Sequence, residues 1–582
     1  MKEEGTLIVI DCETTGTNWV KDKVHRIGCL EIRVPSLSIE DFIYGPPTRL
    51  ICGKVISRLR KAKIVCGHNI KFDAHFLKPY IGDLPWEKVY DTMVMARLFN
   101  DQEEKVSLLA LSLKYLDYSG VEDAVVYLHS KKSEGYENIP DEVLEPYMRA
   151  QLEHTALLFF FFKPKLKGKQ ASLLEQERKL TRILFEMEER GVLVDINALE
   201  EAETFYKEEY KRKEAFLRKL AGKKDFNPLS PRQVADFLKG RINVPVTLKG
   251  NPSTSSSALL PFINMPEVEA ILTCRKTVKM LSSYCQEFRE RLDDNNCIHP
   301  NYLQAGTKTG RLSCKEPNLQ NLPRSEGFYL PIRKMLVSRE GYRTFSVDYK
   351  GIELRVAAGL AKDDKVIKLF VEGKDPHAYV QRVLGLGEGK TGRSVAKNLN
   401  FGILYGASVS RLSLMIEAAE KGLPAAMGKT TRTASAEYRE KANDLLSRWR
   451  ALFPGIANYV AALKRNLYYK GYVENPLGRR HYLPMKLCYK ALNFVVQGTA
   501  ADIAKLGMIY VDDVFKEHGG GNLLLQIHDE VVVEIEEDRV DELLPLVKDA
   551  LVASGRKVFP YLPIEVDVEE WTPSWGEIKE IE

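Results

Sequence analysis

Apolar and polar positions along the chain change their period twice. Up to about residue 165, short strand-like runs such as "TLIVIDCE" (Thr6–Glu13) and "KIVCGHN" (Lys63–Asn69) alternate with helical stretches, the rhythm of an α/β unit. From about residue 170 the pattern turns helical. "LLEQERKLTRILFEMEERGVLVD" (Leu173–Asp195) keeps apolar residues at steps of three and four, and Gly191 stands where a helix would end. "LKGNPSTSSSA" (Leu248–Ala258) is polar and rich in serine, which predicts a mobile loop in a basic region. Strands return at "YRTFSVDY" (Tyr342–Tyr349) and "LLLQIHDEVVVEI" (Leu523–Ile535), with a long helical insert between them. No internal repeat is visible.

The last of these runs poses a chemical question. Its branched, strand-forming residues break in the middle for His528, Asp529 and Glu530. A solvated hairpin tip is one explanation. Carboxylates beside buried strands, in need of a partner or a metal, are another. The run by itself leaves both open.

At 582 residues the chain is too long for one core, and two to four domains are expected. A net charge of +5 does not by itself demand a nucleic-acid partner. The charge is uneven, however: basic around Lys163–Lys169 and Lys207–Lys224, and mostly acidic after Glu534. Nine cysteines without a CxxC pair argue against a disulfide framework or a structural zinc site and suit a reducing compartment. The opening "MKEEGTLIVID" has no secretory pattern, and the longest apolar block, ending at Phe162, is far short of the ~20 residues a membrane span needs. These features predict a cytoplasmic protein. "GLPAAMGKT" (Gly422–Thr430) imitates a phosphate loop, but five residues separate its glycines instead of four and no strand precedes it.

Chemistry concentrates in two further stretches. In "FSVDYKGIELR" (Phe345–Arg355) an apolar strand ends at Asp348 and a helix follows. Carboxylates at strand ends, Asp348 and Asp529, could share two magnesium ions, with manganese as a substitute. Two ions ~4 Å apart can activate a 3′-hydroxyl and stabilise a leaving pyrophosphate. In "RSVAKNLNFGILYG" (Arg393–Gly406), Arg393, Lys397, Phe401 and Tyr405 recur every four residues. Each such step advances ~400°, so the four share one helix face ~18 Å long. Cations followed by aromatics suit a triphosphate followed by a stacked base.

With these motifs the chain resembles the family-A DNA polymerases, the group of bacterial DNA polymerase I, its Klenow fragment and related phage enzymes. "DYKGIELR" looks like the first palm motif, "RSVAKNLNFGILYG" the finger helix and "QIHDE" the second palm motif; "TGRLSCKEPNLQNLP" and "NFVVQGTAADIAK" are similar to two further blocks. The resemblance implies an α/β and α+β multidomain fold. An RNase H-like 3′–5′ exonuclease-type domain would span 1–168. A right-hand polymerase would follow, with the thumb at 169–298, palm at 299–360 and 496–582, and fingers at 361–495. It implies metal binding by Asp348 and Asp529, with Glu530 beside them, and catalysis aided by Lys397. Arg393, Lys397 and His377 would hold the triphosphate. Phe401 would lie against the sugar, Tyr405 at the template base, and Glu353 would exclude a ribose 2′-hydroxyl. Arg311, Asn318, Gln320, Asn493, Gln497 and His528 would contact DNA near the primer end. Family members with tyrosine in place of Phe401 accept dideoxynucleotides, whereas those with phenylalanine reject them. Primer-template DNA and deoxynucleoside triphosphates are the implied partners of a monomer without membrane contact, in a bacterial cell or a phage-infected host. No processivity partner can be read from the chain. It departs from the usual DYSQIELR at Lys350 and Gly351, and from the usual arginine at Tyr489.

"VIDCETTG", "GHNIKFDAHFL" and "PYMRAQLEHT" place Asp11, Glu13, Asp73 and Tyr147 as in the family's proofreading exonuclease, which needs a fourth carboxylate where this chain has Gln151. A neutral amide cannot replace that charge. Glu153 is ~200° around the helix from Gln151 and is expected to face away. The domain is therefore expected to be weakened or inactive, a relic that binds single strands, or active through a shifted ligand. Because the chain starts at this domain, no 5′-nuclease is expected. The rival readings are an exonuclease with an accessory DNA-binding region, and a non-catalytic nucleic-acid scaffold.

Overall fold

The computed structural model describes residues 5–116, 138–242, 252–323, 327–420 and 434–581. The glycine-rich lookalike Gly422–Thr430 and the first part of the polar loop, 248–251, lie outside them. The amino-terminal alternation becomes a five-stranded sheet in the order β3-β2-β1-β4-β5: β1 (Gly5–Thr14), β2 (Val24–Val34), β3 (Ser38–Gly45), β4 (Ile64–Gly67) and β5 (Val89–Asp91). β1 runs antiparallel to β2 and parallel to β4. Its alternate residues feed two cores. Ile8, Ile10 and Cys12 pack with Ala74 and Leu77 of α1 (Ile70–Ile81), while Leu7 and Val9 pack with Met148 and Leu152 of α2 (Asp141–Phe162). Both faces of the sheet are covered, which is why "LIVI" reads as continuously apolar.

α3 (Lys169–Arg190) ends at Gly191, whose φ of 65° lies in the left-handed region that glycine adopts without strain. The helix joins two cores. Phe185 belongs to that of the first sheet, and Leu180, Ile183, Leu184 and Met187 to the largest core of the molecule. That core covers a second sheet built from distant segments. Its central strand, β6 (Tyr342–Tyr349), precedes the helical insert; α4 (Ile352–Ala361), α5 (Gly389–Leu404) and α6 (Ala491–His518) lie within the insert. β7 (Gly521–Ile527), β8 (Glu530–Glu536), β9 (Val566–Trp571) and β10 (Ile578–Ile581) follow it, giving the antiparallel order β7-β8-β6-β9-β10. Phe345, Val347 and Tyr349 of β6 face the core. Leu217, Val234, Leu259 and Ile271 form a smaller helical core of their own.

The membrane expectation needs one qualification. Met485–His518 is long and apolar enough to cross a bilayer, but most of it is buried inside the fold. It escaped notice because polar residues interrupt its apolar run, and these are buried too: Thr499, Asp502 and Lys505.

Asp502 and Lys505 belong to an ion network that clamps α3 to α6. The Glu177 carboxylate, 1% exposed, accepts from Lys505 Nζ at 2.7 Å, from Gln304 Nε2 at 2.6 Å and from Arg479, which also binds Asp502 at 2.6 Å. Burial alone would raise the Glu177 pKa, but Lys505 and Arg479 overcome it and hold the carboxyl down at about 2. The group therefore stabilises the fold above the ordinary glutamate range, and that contribution fades as pH falls from about 4.5 towards 2. Glu177→Gln strands two buried cations on Asp502 and is expected to cost ~3–5 kcal/mol in a urea titration at neutral pH. The deficit should narrow as the pH falls towards 2, where the wild-type carboxyl is itself protonated.

Candidate active sites

The hairpin question is answered by register. Ile527 pairs with Glu530, so His528 and Asp529 form a two-residue tip, and His528 holds φ at 59°. A two-residue hairpin tip favours such left-handed residues, and histidine tolerates the conformation better than most. On the neighbouring strand, Asp348 sits directly opposite Glu530 of β8 and Asp567 of β9. Three acids thus line one row across the sheet, an arrangement that repels itself. The main chain of Asp529 joins them, since Tyr349 N donates to Asp529 O at 3.3 Å.

The electrostatics follow from that crowding. Although its residue is exposed at the sheet end, the Asp348 carboxyl is pushed up to about 8 by desolvation and then by Asp529, Glu530, Asp567 and Glu569. Burial also raises Asp529, with Arg311 opposing, and Glu530, with a hydrogen bond from Ser346 opposing. Among the described residues no Lys or Arg forms an ion pair with Asp348 or Asp529. Nor do three or more His, Cys, Asp or Glu side chains converge closely enough there to hold an ion unaided. The charge asks for a cation that brings further ligands of its own.

Glu353, on the first turn of α4, ties this row to α5. It is 5% exposed, and its Oε1 accepts from Arg311 Nη2 at 2.5 Å. The Tyr405 phenol lies beside it and is pushed up by burial and then by the Glu353 carboxylate. Asp529 adds to the field on both. The four spaced residues of α5 do share a face: Arg393 and Lys397 are exposed, Phe401 is half-buried, and Tyr405 caps the helix. The Phe401 and Tyr405 rings stack at 5.8 Å, and His377 packs on Phe401 at 5.5 Å.

A chain of fixed donors sets the state of His377. The indole of Trp449 donates to Asn400 Oδ1 at 2.7 Å, so the Asn400 amide must turn its NH₂ to His377 Nδ1, 2.8 Å away. Nδ1 therefore accepts, and the ring proton resides on Nε2. Burial lowers the His377 pKa to about 4, so the ring is neutral at pH 7 and offers one N–H. Sequence reasoning missed Asn400 and Trp449. Trp449 lies 49 residues further along the chain, and no spacing rule connects the two.

The residues expected to touch DNA divide. Asn493 and Gln497 lie one turn apart on α6, both half-buried, with exposed Tyr489 four residues upstream. His528 is at the hairpin tip, and Arg311 is engaged by Glu353. Asn318 Oδ1 is buried without a hydrogen-bond partner among the described residues. Gln320 is 7% exposed and donates to the main chain and side chain of Gln526, so it braces β7 from beneath. Placed there, it reaches the site only through the strand.

A second acidic cluster lies on the first sheet. Asp11 and Glu13 come from β1, Asp73 from the first turn of α1, and Tyr147 and Gln151 from one face of α2. Asp73 Oδ1 accepts from Cys12 N at 3.0 Å. Desolvation raises all three carboxyls; Asp11 adds to the shift at Glu13 and Asp73, and a hydrogen bond from Gln151 opposes it at Glu13. Gln151 Nε2 donates to Glu13 Oε1 at 3.0 Å, so the residue expected to stand in for a fourth carboxylate lies against Glu13. Glu153 pairs with Arg149 at 3.0 Å, with its side chain 39% exposed.

Comparison with known proteins gives matches of three kinds. The model of DNA polymerase family A matches residues 196–577. DNA polymerase I of Pseudomonas aeruginosa is 30% identical over 575 residues, 93% of this chain and 61% of that protein; DNA polymerase I of Aquifex aeolicus is 29% identical, with 89% of each covered. The chain thus spans about six tenths of the P. aeruginosa protein. In overall fold it is similar to the POL domain of Pol1 from M. smegmatis, solved in complex with DNA primer-template and dNTP: the TM-score is 0.79 at 24% identity, over 99% of this chain and 96% of that one.

Proposed function

The chain belongs to DNA polymerase family A, and from that premise we propose that it extends a primer 3′ end with deoxynucleotides, directed by a template strand. The observation that carries this reading is the row Glu530–Asp348–Asp567 with Asp529 beside it, joined through Glu353 to the cationic and aromatic face of α5. Asp348 and Asp529 would hold magnesium, or manganese in its place; when bound there, such ions activate the 3′-hydroxyl and stabilise the pyrophosphate. The raised carboxyl of Asp348, and its lack of a cationic side-chain partner among the described residues, fit that role. Lys397, Arg393 and the His377 Nε2–H grip the triphosphate, and Lys397 protonates the leaving group. Phe401 meets the sugar and Tyr405 the template base. Asn493, Gln497, Arg311 and His528 line the DNA near the primer end, where minor-groove acceptors test base-pair shape without reading sequence. In hand terms the second sheet is the palm and α5 belongs to the fingers. The amino-terminal domain is a 3′–5′ exonuclease relative weakened at Gln151.

One gel tests both halves: a labelled primer-template is followed with and without nucleotides. Extension that depends on nucleotides supports the reading, and degradation alone overturns it. Two variants refine it. Phe401→Tyr adds a hydroxyl beside the incoming sugar and is expected to remove most of a strong wild-type preference for deoxy- over dideoxynucleotides, read from competitive incorporation. Equal use of both sugars by the wild type would count against placing Phe401 there. Glu353→Ala opens the space against a 2′-hydroxyl and should raise ribonucleotide incorporation relative to deoxynucleotides. Some activity should be lost as well, because Arg311 and Tyr405 lose their shared partner.

A further inference from the structure

The inference rests on the polymerase reading and adds a residue to its phosphate end. A cleft of about 480 Å³ opens beside the turn from β6 into α4 and reaches the exposed face of α5. Lys350, Arg355, Lys374, Arg393 and Lys397 line it, against two carboxylates, Asp375 and Glu565. Both carboxylates are already engaged, Asp375 by Arg393 at 2.8 Å and Glu565 by Arg355 at 2.8 Å. Arg355 is 4% exposed and also donates to the carbonyls of Lys350 and Pro563, so it supports the wall of the cleft. Lys374 turns to Glu372 at 2.7 Å.

Besides Arg393, whose partly exposed pair with Asp375 can yield to the triphosphate as proposed above, two of these cations concern a ligand. One is Lys397, exposed on α5, which the function above already uses. The other is Lys350, two residues beyond Asp348 on the same turn. Its ammonium rests on Asp567 at 2.8 Å, with both side chains more than half exposed (54% and 57%). An ion pair that open contributes little, so the ammonium can leave it for a polyanion. Gly351 follows at φ 59° and also lines the cleft, with nothing within 4 Å of where a β-carbon would stand, so open space adjoins Lys350 there. Serine, usual here in the family, offers a neutral hydroxyl, whereas lysine offers a charge-assisted donor.

We propose that Lys350 binds the terminal phosphates of the incoming nucleoside triphosphate and of the departing pyrophosphate. The competing account is structural: Lys350 would neutralise Asp567 and so keep a third charge off Asp348. Three variants separate them, Lys350→Ser, Lys350→Arg and Asp567→Asn. Each is assayed on a fixed primer-template with varied deoxynucleotide, and again with inorganic pyrophosphate as inhibitor. Lys350→Ser should raise the KM for nucleotide and the inhibition constant of pyrophosphate each about tenfold, the loss of one charge-assisted contact. Lys350→Arg should keep both near wild type. Asp567→Asn removes a charge beside Asp348 and so can alter kcat, but it frees the ammonium and should not raise the KM as Lys350→Ser does. Unmoved constants in Lys350→Ser, or the same loss in Asp567→Asn as in Lys350→Ser, would overturn the proposal. A wild type that does not extend primers would instead remove the polymerase reading on which it stands.

Discussion

Asp348→Ala and Asp529→Ala are each expected to reduce primer extension ~1,000-fold or more, the several kcal/mol of transition-state stabilisation that one metal-ligating carboxylate contributes. Primer-template binding should persist, because Asn493, Gln497 and the basic surfaces are untouched. The usual objection to such a test is that the variant fails to fold. Here the electrostatics argue the other way. The Asp348 carboxyl is held at about 8 by desolvation and by four acidic neighbours, so its removal relieves repulsion across the sheet. Heat stability without divalent ions should therefore be unchanged or higher in Asp348→Ala. Extension within tenfold of wild type by either variant would refute the assignment, and loss of DNA binding together with extension would point to a structural role.

Residues that act through their own neighbours in the chain were legible in the sequence. Asp348 stands at the end of an apolar strand, His528–Asp529 interrupts another, and Arg393, Lys397, Phe401 and Tyr405 keep a helical period; each lies on the element its spacing predicts. Gly191 ends α3 for the same local reason. What stayed hidden depends on pairs far apart in sequence. Trp449 reaches Asn400 across 49 residues, and Glu177 reaches Arg479 across 302. No hydrophobic period announces a buried ion pair, because the charges sit where an apolar residue would fit the pattern equally well. Gln320, which the resemblance places against DNA, stands apart for a related reason. In the fold it is a buried donor to Gln526, a pairing across 206 residues that no local pattern announces.

Gln151→Asp is the variant for which a gain is expected, on the order of a hundredfold in the degradation of single-stranded 3′ ends, the effect of restoring one ligating charge. The wild type should degrade such ends slowly or not at all in magnesium. The argument starts from Gln151 Nε2, which donates to Glu13 Oε1 at 3.0 Å and so turns a would-be acceptor into a donor. Aspartate is one methylene shorter, which draws its oxygens back by ~1.5 Å. Two carboxylate oxygens ~4 Å apart can both reach one divalent ion at ~2.1 Å. Gln151→Glu would keep the full length and press its charge against Glu13, so it should gain less than Gln151→Asp. Desolvation already raises Asp11, Glu13 and Asp73, and the restored carboxylate sharpens that need for a cation. Extension on a matched primer should hardly change, since the second sheet lies in a different core. Glu153, paired with Arg149, gives the control. If the wild type degrades strongly and Glu153→Ala abolishes it, Glu153 is the shifted ligand. If Gln151→Asp gains nothing, the cluster has lost more than one charge and the domain is a structural relic.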